Sequence, residues 1–409
     1  MKFKHIYYGW VIIFIAVVIF GVQAIPGNTF GVFLVPLTTH FGWGRGALSG
    51  ASSVSSIVGG FLGILTGRLS DKYGPRALVT LSGLLVGAGV LLMSRINSLW
   101  QVYLIWGFIV GVGSSCFFTP LISTIPRWFE EKRGMVLGIV AAGGALGGVI
   151  FPPLAQWLIS SHDWRQSFFL LGLIVFAVIP LAQFLKQSPE KMGVKGYGAN
   201  GTISHKQSAA STSGFSLKQA IKSSRFWVFA PIHVCFLFGM GVVFVHIVPC
   251  AVDIGILPMA AASILSIIAG SSVIGNLAMG FLSDTIGGKI AFSACLVVAT
   301  LALIWLPFAR ETWMFYLFAV VFGLASGGTS PLVTVVAVEL FGLKSLGVLL
   351  GSTMLIGTIG GSLGAPLAGI IFDKTESYGL AFLICIAFCV LATIFSVILL
   401  RYKVEGSKA

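Results

Sequence analysis

An internal repeat constrains this chain more than any other feature of the sequence. The segment Gly67-Arg-Leu-Ser-Asp71-Lys-Tyr-Gly74-Pro-Arg76 recurs in degraded form as Gly280-Phe-Leu-Ser-Asp284-Thr-Ile-Gly287-Gly-Lys289, so that Asp71 and Asp284 are 213 residues apart. Other landmarks keep the same offset: Val35-Pro36 matches Val248-Pro249, Gly147-Gly148 matches Gly360-Gly361, and Phe169 matches Phe382. One register therefore aligns most of the first half with the second, which predicts two copies of one structural unit.

Both copies are apolar enough to lie in a membrane. The chain is 57% hydrophobic and only 9% charged, whereas soluble domains carry roughly 25% charged residues. Twelve apolar runs approach the ~20 residues that span a bilayer core, at residues 9–36, 46–70, 77–95, 99–126, 134–160, 165–186, 225–251, 258–283, 290–309, 312–340, 345–372 and 378–401. None alternates like a strand of a membrane barrel. We therefore predict an all-α membrane protein with twelve transmembrane helices in two six-helix bundles.

The one long polar stretch separates the two copies. Residues 187–224 are rich in Gly, Ser and Lys, a composition typical of flexible linkers. The sequence thus predicts a first bundle at 1–186, a cytoplasmic linker that ends in a short interfacial helix, and a second bundle at 225–409. The six cysteines form no Cys-x-x-Cys pair, so neither a disulfide framework nor a metal site is indicated, and no cofactor is expected.

The net charge of +13 is explained by its distribution along the chain. When alternate loops are assigned to opposite sides, most of the lysines and arginines fall on the side of the N-terminus. The positive-inside rule then places both termini in the cytoplasm of a multi-pass protein of the cell (inner) membrane. The charge is therefore a topology signal and does not indicate a nucleic-acid-binding surface.

The duplicated segment resembles the loop signature of the major facilitator superfamily. Further stretches resemble its bacterial monocarboxylate and oxalate transporter-like branch: Tyr7-Tyr-Gly-Trp10, Phe41-Gly-Trp-Gly-Arg45, Arg127-Trp-Phe-Glu-Glu-Lys-Arg-Gly134, and His246-Ile-Val-Pro249 with Asp253. The resemblance implies the major facilitator fold, and alternating access to a site between the two copies. It also implies that Asp71, Arg76, Arg127 and Asp284 gate the transport cycle. The alternative is that these four residues only anchor their loops.

Polar residues at membrane depth are costly, and each is therefore a functional candidate. In the fold that the resemblance implies, the substrate cavity is lined by Asn28, Phe118, Thr119, His246, Asn276, Ser330 and Thr334. An imidazole with an ordinary pKa near ~6.5 suits a proton carrier, so we assign proton coupling to His246. Asp253 lies seven residues further on, two turns along the same face, and is its expected partner. Alternatively, His246 bonds a backbone carbonyl at the kink before Pro249.

Two positions depart from the branch pattern. Asn276 stands where many members of the branch carry an arginine that binds the substrate carboxylate, and Phe118 replaces an aromatic hydroxyl. An amide can hydrogen-bond a carboxylate but supplies neither a charge nor a guanidinium fork. Either the substrate is neutral or zwitterionic, or its anion meets helix dipoles and a protonated His246.

These observations predict a secondary active transporter for a small organic solute, a monocarboxylate or related acid, with proton symport. One alternative is proton-coupled efflux of hydrophobic compounds, and another is a non-transporting membrane sensor. No carboxylate pair or nucleophile–base pair has a spacing suited to catalysis, so an enzyme is not expected. The expected partners are the substrate, protons and membrane lipid. A monomer is expected because alternating access needs only one chain.

Overall fold

The computed structural model describes residues 7–129, 133–186, 189, 215, 217–342 and 346–402. Regular secondary structure within these residues is helical. This follows from the apolar composition, because a segment in lipid must satisfy its backbone N–H and C=O groups internally, and an α-helix does so within one chain segment.

Each of the twelve apolar runs forms a long helix in the described part of the chain, which confirms the predicted fold class. The helices are α1 (Tyr8–Phe41), α2 (Arg45–Tyr73), α3 (Pro75–Arg95), α4 (Leu99–Ile125), α5 (Arg133–Ser161), α6 (Trp164–Ala182), α7 (Ser224–Asp253), α8 (Pro258–Ile286), α9 (Gly288–Phe308), α10 (Thr312–Phe341), α11 (Leu346–Thr375) and α12 (Gly379–Leu399). Eleven are apolar enough to span a membrane by length and composition. The exception, α2, is as long as the others but is rich in Ser and Gly and ends in charged residues.

The first helix is longer than its predicted run, which ended at Pro36. Pro36 lies inside the helix, which continues to Phe41 and ends at Gly42 in the left-handed conformation, with φ of 68°. Glycine adopts this conformation without a Cβ clash, which makes it a frequent terminator of helices. The second helix then begins only three residues later, at Arg45.

The chain divides into two compact units. Unit 1 comprises Met1–Trp43 and Ala51–Thr202, and unit 2 comprises Gly44–Gly50 and Ile203–Ala409. The first turns of α2 thus belong to the second unit although the rest of α2 belongs to the first. The predicted linker, residues 187–224, lies mostly outside the described residues, and its boundaries stay a prediction. Within it, Leu217–Lys222 forms a short helix.

Close backbone contacts between helices occur at equivalent positions in the two units. In unit 1, a Cβ added to Gly147 of α5 would overlap the carbonyl oxygen of Gly21 in α1. In unit 2, a Cβ on the equivalent Gly360 of α11 would lie 2.7 Å from the carbonyl oxygen of Val234 in α7. Helices in a membrane associate through this kind of close approach, because lipid provides no hydrophobic driving force between them. The glycine-rich faces therefore have a packing role in both units.

Candidate functional site: a buried ionic network in unit 2

Arg45, the first residue of α2, forms a two-pronged ion pair with Asp253 at the end of α7. Its Nη1 lies 2.5 Å from Oδ2 of Asp253, and its Nη2 lies 2.8 Å from Oδ1. The arginine is buried, with a relative exposure of 9%. Such a fork supplies two parallel charge-assisted hydrogen bonds. A buried guanidinium needs a partner of this kind, because an unpaired buried charge costs several kcal/mol.

Aromatic residues complete the surroundings of the guanidinium. The Nη1 group also donates to the hydroxyl of Tyr378, at 2.8 Å. The Cζ atom lies 3.8 Å from the ring centroid of Phe372, which is a cation–π contact. The planar cation therefore has a carboxylate and a phenol at its edge and an aromatic ring against its face.

A residue distant in sequence caps the N-terminus of α2. The carboxylate of Asp373, in α11, accepts from the backbone N–H of Arg45 at 2.7 Å and from that of Gly46 at 2.9 Å. The helix is preceded by Gly44, which has no side chain to serve as a cap. A Cβ on Gly44 would lie 2.5 Å from Asp373, and a Cβ on Gly369 would lie 2.5 Å from the nitrogen of Gly46. The cap and the close backbone contact thus hold the first turn of α2 against α11.

His246 is completely buried beside this ion pair. Its Nε2 lies 2.7 Å from the carbonyl oxygen of Ala365 and 3.2 Å from the hydroxyl of Ser49, and its Nδ1 lies 3.0 Å from the hydroxyl of Tyr378. A carbonyl oxygen can only accept, so we assign the ring hydrogen to Nε2. Nδ1 is then an acceptor and receives the hydroxyl hydrogen of Tyr378. A directed series of hydrogen bonds follows, from Arg45 to Tyr378, to His246 and to the backbone of α11.

The geometry corrects the predicted pairing of His246 with Asp253. The seven-residue spacing favoured a contact along α7, but the carboxylate of Asp253 binds Arg45 instead. The alternative, a bond from His246 to a backbone carbonyl, is present, although the acceptor is Ala365 in α11 and not a carbonyl near Pro249. The reason is physical: α11 approaches α7 closely enough to offer an acceptor across the helix pair, and the guanidinium competes for the carboxylate.

The equivalent position in unit 1 has a different chemistry. His246 corresponds to Phe33, which is fully buried and stacks on Phe168 with ring centroids 3.7 Å apart. The same position is therefore filled by apolar packing in one copy and by a hydrogen-bonded imidazole in the other. Because burying a polar group costs free energy that an apolar ring does not, the fold alone does not require a histidine here.

The contacts described above form one ionic network, which consists of Arg45, Asp253, Asp373, Tyr378, His246 and Ser49. The other predicted substrate residues lie outside this network, as far as the described side chains show. In unit 1, Asn28 donates to the carbonyl of Ala24 at 2.9 Å, Thr119 lies at the edge of hydrogen-bonding distance from the backbone, and Phe118 is 56% exposed. In unit 2, Asn276 is half-buried, and Ser330 and Thr334 are exposed. The geometry therefore leaves these six as separate polar or aromatic positions on their helices.

The predicted gating residues are only partly described. Arg76 donates from Nε to the side-chain oxygen of Gln183 at 2.7 Å, within unit 1. Asp284 is exposed in unit 2. The side chains of Asp71 and Arg127 lie outside the described residues, so the gating assignment stays a prediction.

Sequence reasoning missed the main members of the network. Arg45 lies in one of the segments that carry the family resemblance, but nothing in the sequence indicates that its charge is buried and paired. Asp373 and Tyr378 gave no signal, because they meet Arg45 only through the packing of helices distant in sequence, with Tyr378 and Arg45 separated by 333 residues. Ser49 donates to the carbonyl of Arg45 in its own helix, but its contact with His246 also depends on that packing.

Comparison with known proteins agrees with the fold. The model of the Major Facilitator Superfamily matches residues 9–269 and 231–409. Similar solved structures include a bacterial homolog of the human lysosomal transporter Spinster, with a TM-score of 0.76, 16% identity and coverage of 96% of this chain and 97% of that one. A mutant of the nucleoside transporter NupG has a TM-score of 0.75 and 12% identity, over 95% of this chain and 100% of that one.

Sequence relatives narrow the comparison within the family. Monocarboxylate transporter 13 of Rattus norvegicus is 29% identical over 93% of this chain and 86% of its own length. Monocarboxylate transporter 11 of Mus musculus is 27% identical over 93% of this chain and 85% of its own length. The MFS-type transporter opdF of Penicillium oxalicum is 28% identical over 75% of this chain and 69% of its own length. These monocarboxylate transporters and MFS-type transporters are what the chain is similar to in sequence. This chain is thus a multi-pass membrane transporter, not an enzyme, and it belongs to the Major Facilitator Superfamily.

Proposed function

We propose that this chain carries a small monocarboxylate across the cell membrane by alternating access, together with a proton. The substrate class is supported by the similarity to monocarboxylate transporters along 93% of the chain. The observation that carries the proton coupling is the buried network of His246, Tyr378, Arg45 and Asp253, which has no counterpart at the equivalent Phe33 of unit 1.

The network is sensitive to a proton on His246. In the observed arrangement Nδ1 accepts a hydrogen from Tyr378, whose oxygen accepts from Arg45. A proton on Nδ1 would turn that nitrogen into a donor, so the hydroxyl would have to turn away. It would also place a second cation beside the guanidinium. Protonation of His246 therefore competes with the contact between Arg45 and Tyr378, and this competition links proton uptake to a structural change.

The remaining predicted residues complete the proposal. Asn28, Phe118, Thr119, Asn276, Ser330 and Thr334 are proposed to line the substrate path, together with His246. Asp71, Arg76, Arg127 and Asp284 are proposed to gate the cycle. Both termini are proposed to lie in the cytoplasm, as the distribution of basic residues predicts. The transporter is proposed to work as a monomer.

The test is uptake of radiolabelled pyruvate or L-lactate into proteoliposomes that contain the purified protein. We expect accumulation when the outside is more acidic than the inside, and its loss when a protonophore collapses the gradient. His246→Gln should lose gradient-driven accumulation but retain exchange of labelled for unlabelled substrate, which needs no net proton movement. His233→Gln is the matched control, because His233 is a buried histidine of the same helix that lies outside the network.

The outcomes separate the parts of the proposal. Absence of carboxylate uptake by the wild type under any gradient would refute the substrate class. Uptake that does not respond to the proton gradient would refute symport. Unchanged accumulation by His246→Gln would remove His246 from proton coupling and leave the substrate class intact.

A further inference from the structure

The guanidinium of Arg45 is arranged as a receptor for a carboxylate, and a carboxylate already occupies it. Both oxygens of Asp253 lie in the fork, at 2.5 and 2.8 Å, while Phe372 and Tyr378 hold the guanidinium in place. The receptor is the more deeply placed partner, since its side chain is 10% exposed and that of Asp253 is 28% exposed. The occupant is thus the more exposed of the two partners, so that a second carboxylate can compete with it for the fork.

Few other groups could neutralise an anion. Of the side chains that the structure describes, only two cationic ones are buried, Arg45 and Lys289. Lys289 donates to the backbone carbonyl of Tyr402 at 2.7 Å, at the start of α9. In α8, Asn276 offers only an uncharged amide. A carboxylate that leaves water for a protein interior needs a paired cation, and a guanidinium matches its two oxygens in a way that an amide does not.

We propose that Arg45 binds the carboxylate of the transported acid, and that this carboxylate and the side chain of Asp253 occupy the same fork in alternation. This inference rests on the proposed function, because it names the anion-binding group of that transport cycle. Arg45 is thereby the residue that selects an acid over its neutral amide or alcohol analogues.

The exchange accounts for one proton per substrate. When the substrate anion takes the fork, Asp253 is left beside it without its cation, and Asp373 stands nearby on the N-terminus of α2. The proton that balances the added negative charge is the one that the proposed function places on Nδ1 of His246, next to Tyr378 and the fork. One O–H bond of a hydronium ion breaks as the N–H bond at His246 forms, water is released, and the net charge of the site is unchanged because one proton accompanies one anion. The titratable and charged groups around Asp253 are Arg45, Tyr378, His246, Cys250, Arg310 and Asp373.

The helix that carries Arg45 does not depend on the fork for its position. Asp373 caps its first two N–H groups, and Gly46 lies against Gly369 backbone to backbone. The backbone of Arg45 can therefore stay in place while its side chain changes partners. The same arrangement supplies a control, because Asp373→Asn weakens the anchor and leaves the guanidinium intact.

The experiment measures binding to purified protein in detergent by isothermal titration calorimetry at about pH 5.5 and pH 7.5. The ligands are pyruvate, which stays ionised at both pH values, and its neutral amide, pyruvamide. We expect the wild type to bind pyruvate more tightly at the lower pH and to bind pyruvamide at neither. Arg45→Gln should weaken pyruvate binding at least about tenfold, the loss expected for charge-assisted hydrogen bonds. Asp253→Asn, which cannot compete as an anion, should bind about tenfold more tightly than wild type at pH 7.5.

Two variants serve as controls. Arg165→Gln removes an arginine that donates to the backbone carbonyls of Ser94 and Ile96, and it should leave pyruvate affinity unchanged. Asp373→Asn should retain pyruvate binding, with any loss smaller than that of Arg45→Gln. A loss in Asp373→Asn as large as in Arg45→Gln would mean that the position of α2, not the guanidinium, controls affinity, and would overturn the proposal.

The remaining outcomes keep this inference distinct from the proposed function. If the wild type transports pyruvate with protons and Arg45→Gln binds it as tightly, the transporter assignment stands and Arg45 is not its anion site. If Arg45→Gln does not yield folded protein, Asp253→Asn decides: an affinity for pyruvate at pH 7.5 equal to that of the wild type would refute the exchange. If no carboxylate is bound or transported by the wild type, the proposed function itself fails.

Discussion

The hydroxyl of Tyr378 lies 3.0 Å from Nδ1 of His246 and supplies that nitrogen with its hydrogen. The same hydroxyl oxygen accepts from Arg45 at 2.8 Å. One phenol therefore connects the protonation state of a fully buried imidazole with the position of the guanidinium. A proton on Nδ1 of His246 would require the hydroxyl to turn its hydrogen away, and the bond from Arg45 to the hydroxyl oxygen would change as a result, because a hydroxyl group has only one hydrogen to donate.

Tyr378→Phe should break this connection while keeping the ring. The substitution leaves Nδ1 of His246 without its donor and Nη1 of Arg45 with one acceptor fewer, in a buried site. We expect the free energy of unfolding to fall by roughly 1–3 kcal/mol, measured by unfolding in mixed micelles of dodecyl maltoside and SDS. Tyr316→Phe is the control, since its hydroxyl makes a long bond of 3.5 Å to Ala260. Equal losses in both variants would contradict the role given to Tyr378.

Gly369→Ala should displace the first turn of α2. The new Cβ would lie 2.5 Å from the nitrogen of Gly46, and backbone atoms cannot rotate away as a side chain can. We expect lower thermal stability of the purified protein and loss of transport. Gly351→Ala, in the same helix, meets no atom within 4 Å and should be neutral or slightly stabilising, because alanine favours a helix over glycine. A well-tolerated Gly369→Ala would show that this contact does not hold the turn.

Gly147→Ala should disrupt unit 1 in the same way. Its Cβ would overlap the carbonyl oxygen of Gly21, so α1 and α5 would have to separate. The expected result is a lower yield of folded protein and a lower melting temperature, read by fluorescence-detected size-exclusion chromatography after heating. The comparison variant is Gly138→Ala, which has open space around the added methyl group. If both variants melt together, close helix approach is not what requires glycine at position 147.

His233→Leu should be neutral or stabilising. His233 is buried, and neither ring nitrogen makes a hydrogen bond within the part of the chain that the structure describes. Replacing a buried, unsatisfied polar ring by an aliphatic side chain removes a desolvation cost of roughly 1–3 kcal/mol. His246→Leu, by contrast, should destabilise the protein, because it leaves Tyr378 and the Ala365 carbonyl without their partner. Unfolding in mixed micelles compares the two, and a clear loss of stability in His233→Leu would indicate that the ring has a partner in the working protein.

The fold was predictable because two patterns agree. Twelve apolar runs define the helices, and the 213-residue offset relates them as two copies. The helix ends, and the division of α2 between the two units, required the structure. Gly42 illustrates such an end: α1 passes Pro36 without stopping and terminates at a residue that tolerates a positive φ.

The ionic network was not predictable from the same patterns. Arg45 and Asp253 are 208 residues apart, and no periodicity connects an arginine at a helix start with a carboxylate at the end of another helix. The internal repeat does not predict the network either, because the positions of unit 1 equivalent to Tyr378 and Asp373 hold different residues, Arg165 and Ser160. Polarity within or next to an apolar run singles out His246 and Asp253 in the sequence. It could not show that their partners come from α2, from α11 and from the residue before α12.

The cap on α2 has one more consequence. The amide hydrogens of Arg45 and Gly46 bond to Asp373 and to no acceptor within their own helix. They are shielded from deuterated water only while that carboxylate is in place, whereas the amides deeper in α2 are protected by the helix itself. The rate at which these two positions take up deuterium therefore reports the opening of the contact between the start of α2 and Asp373 in α11. Hydrogen–deuterium exchange at these two backbone amides, measured by mass spectrometry, therefore follows this movement without any attached label.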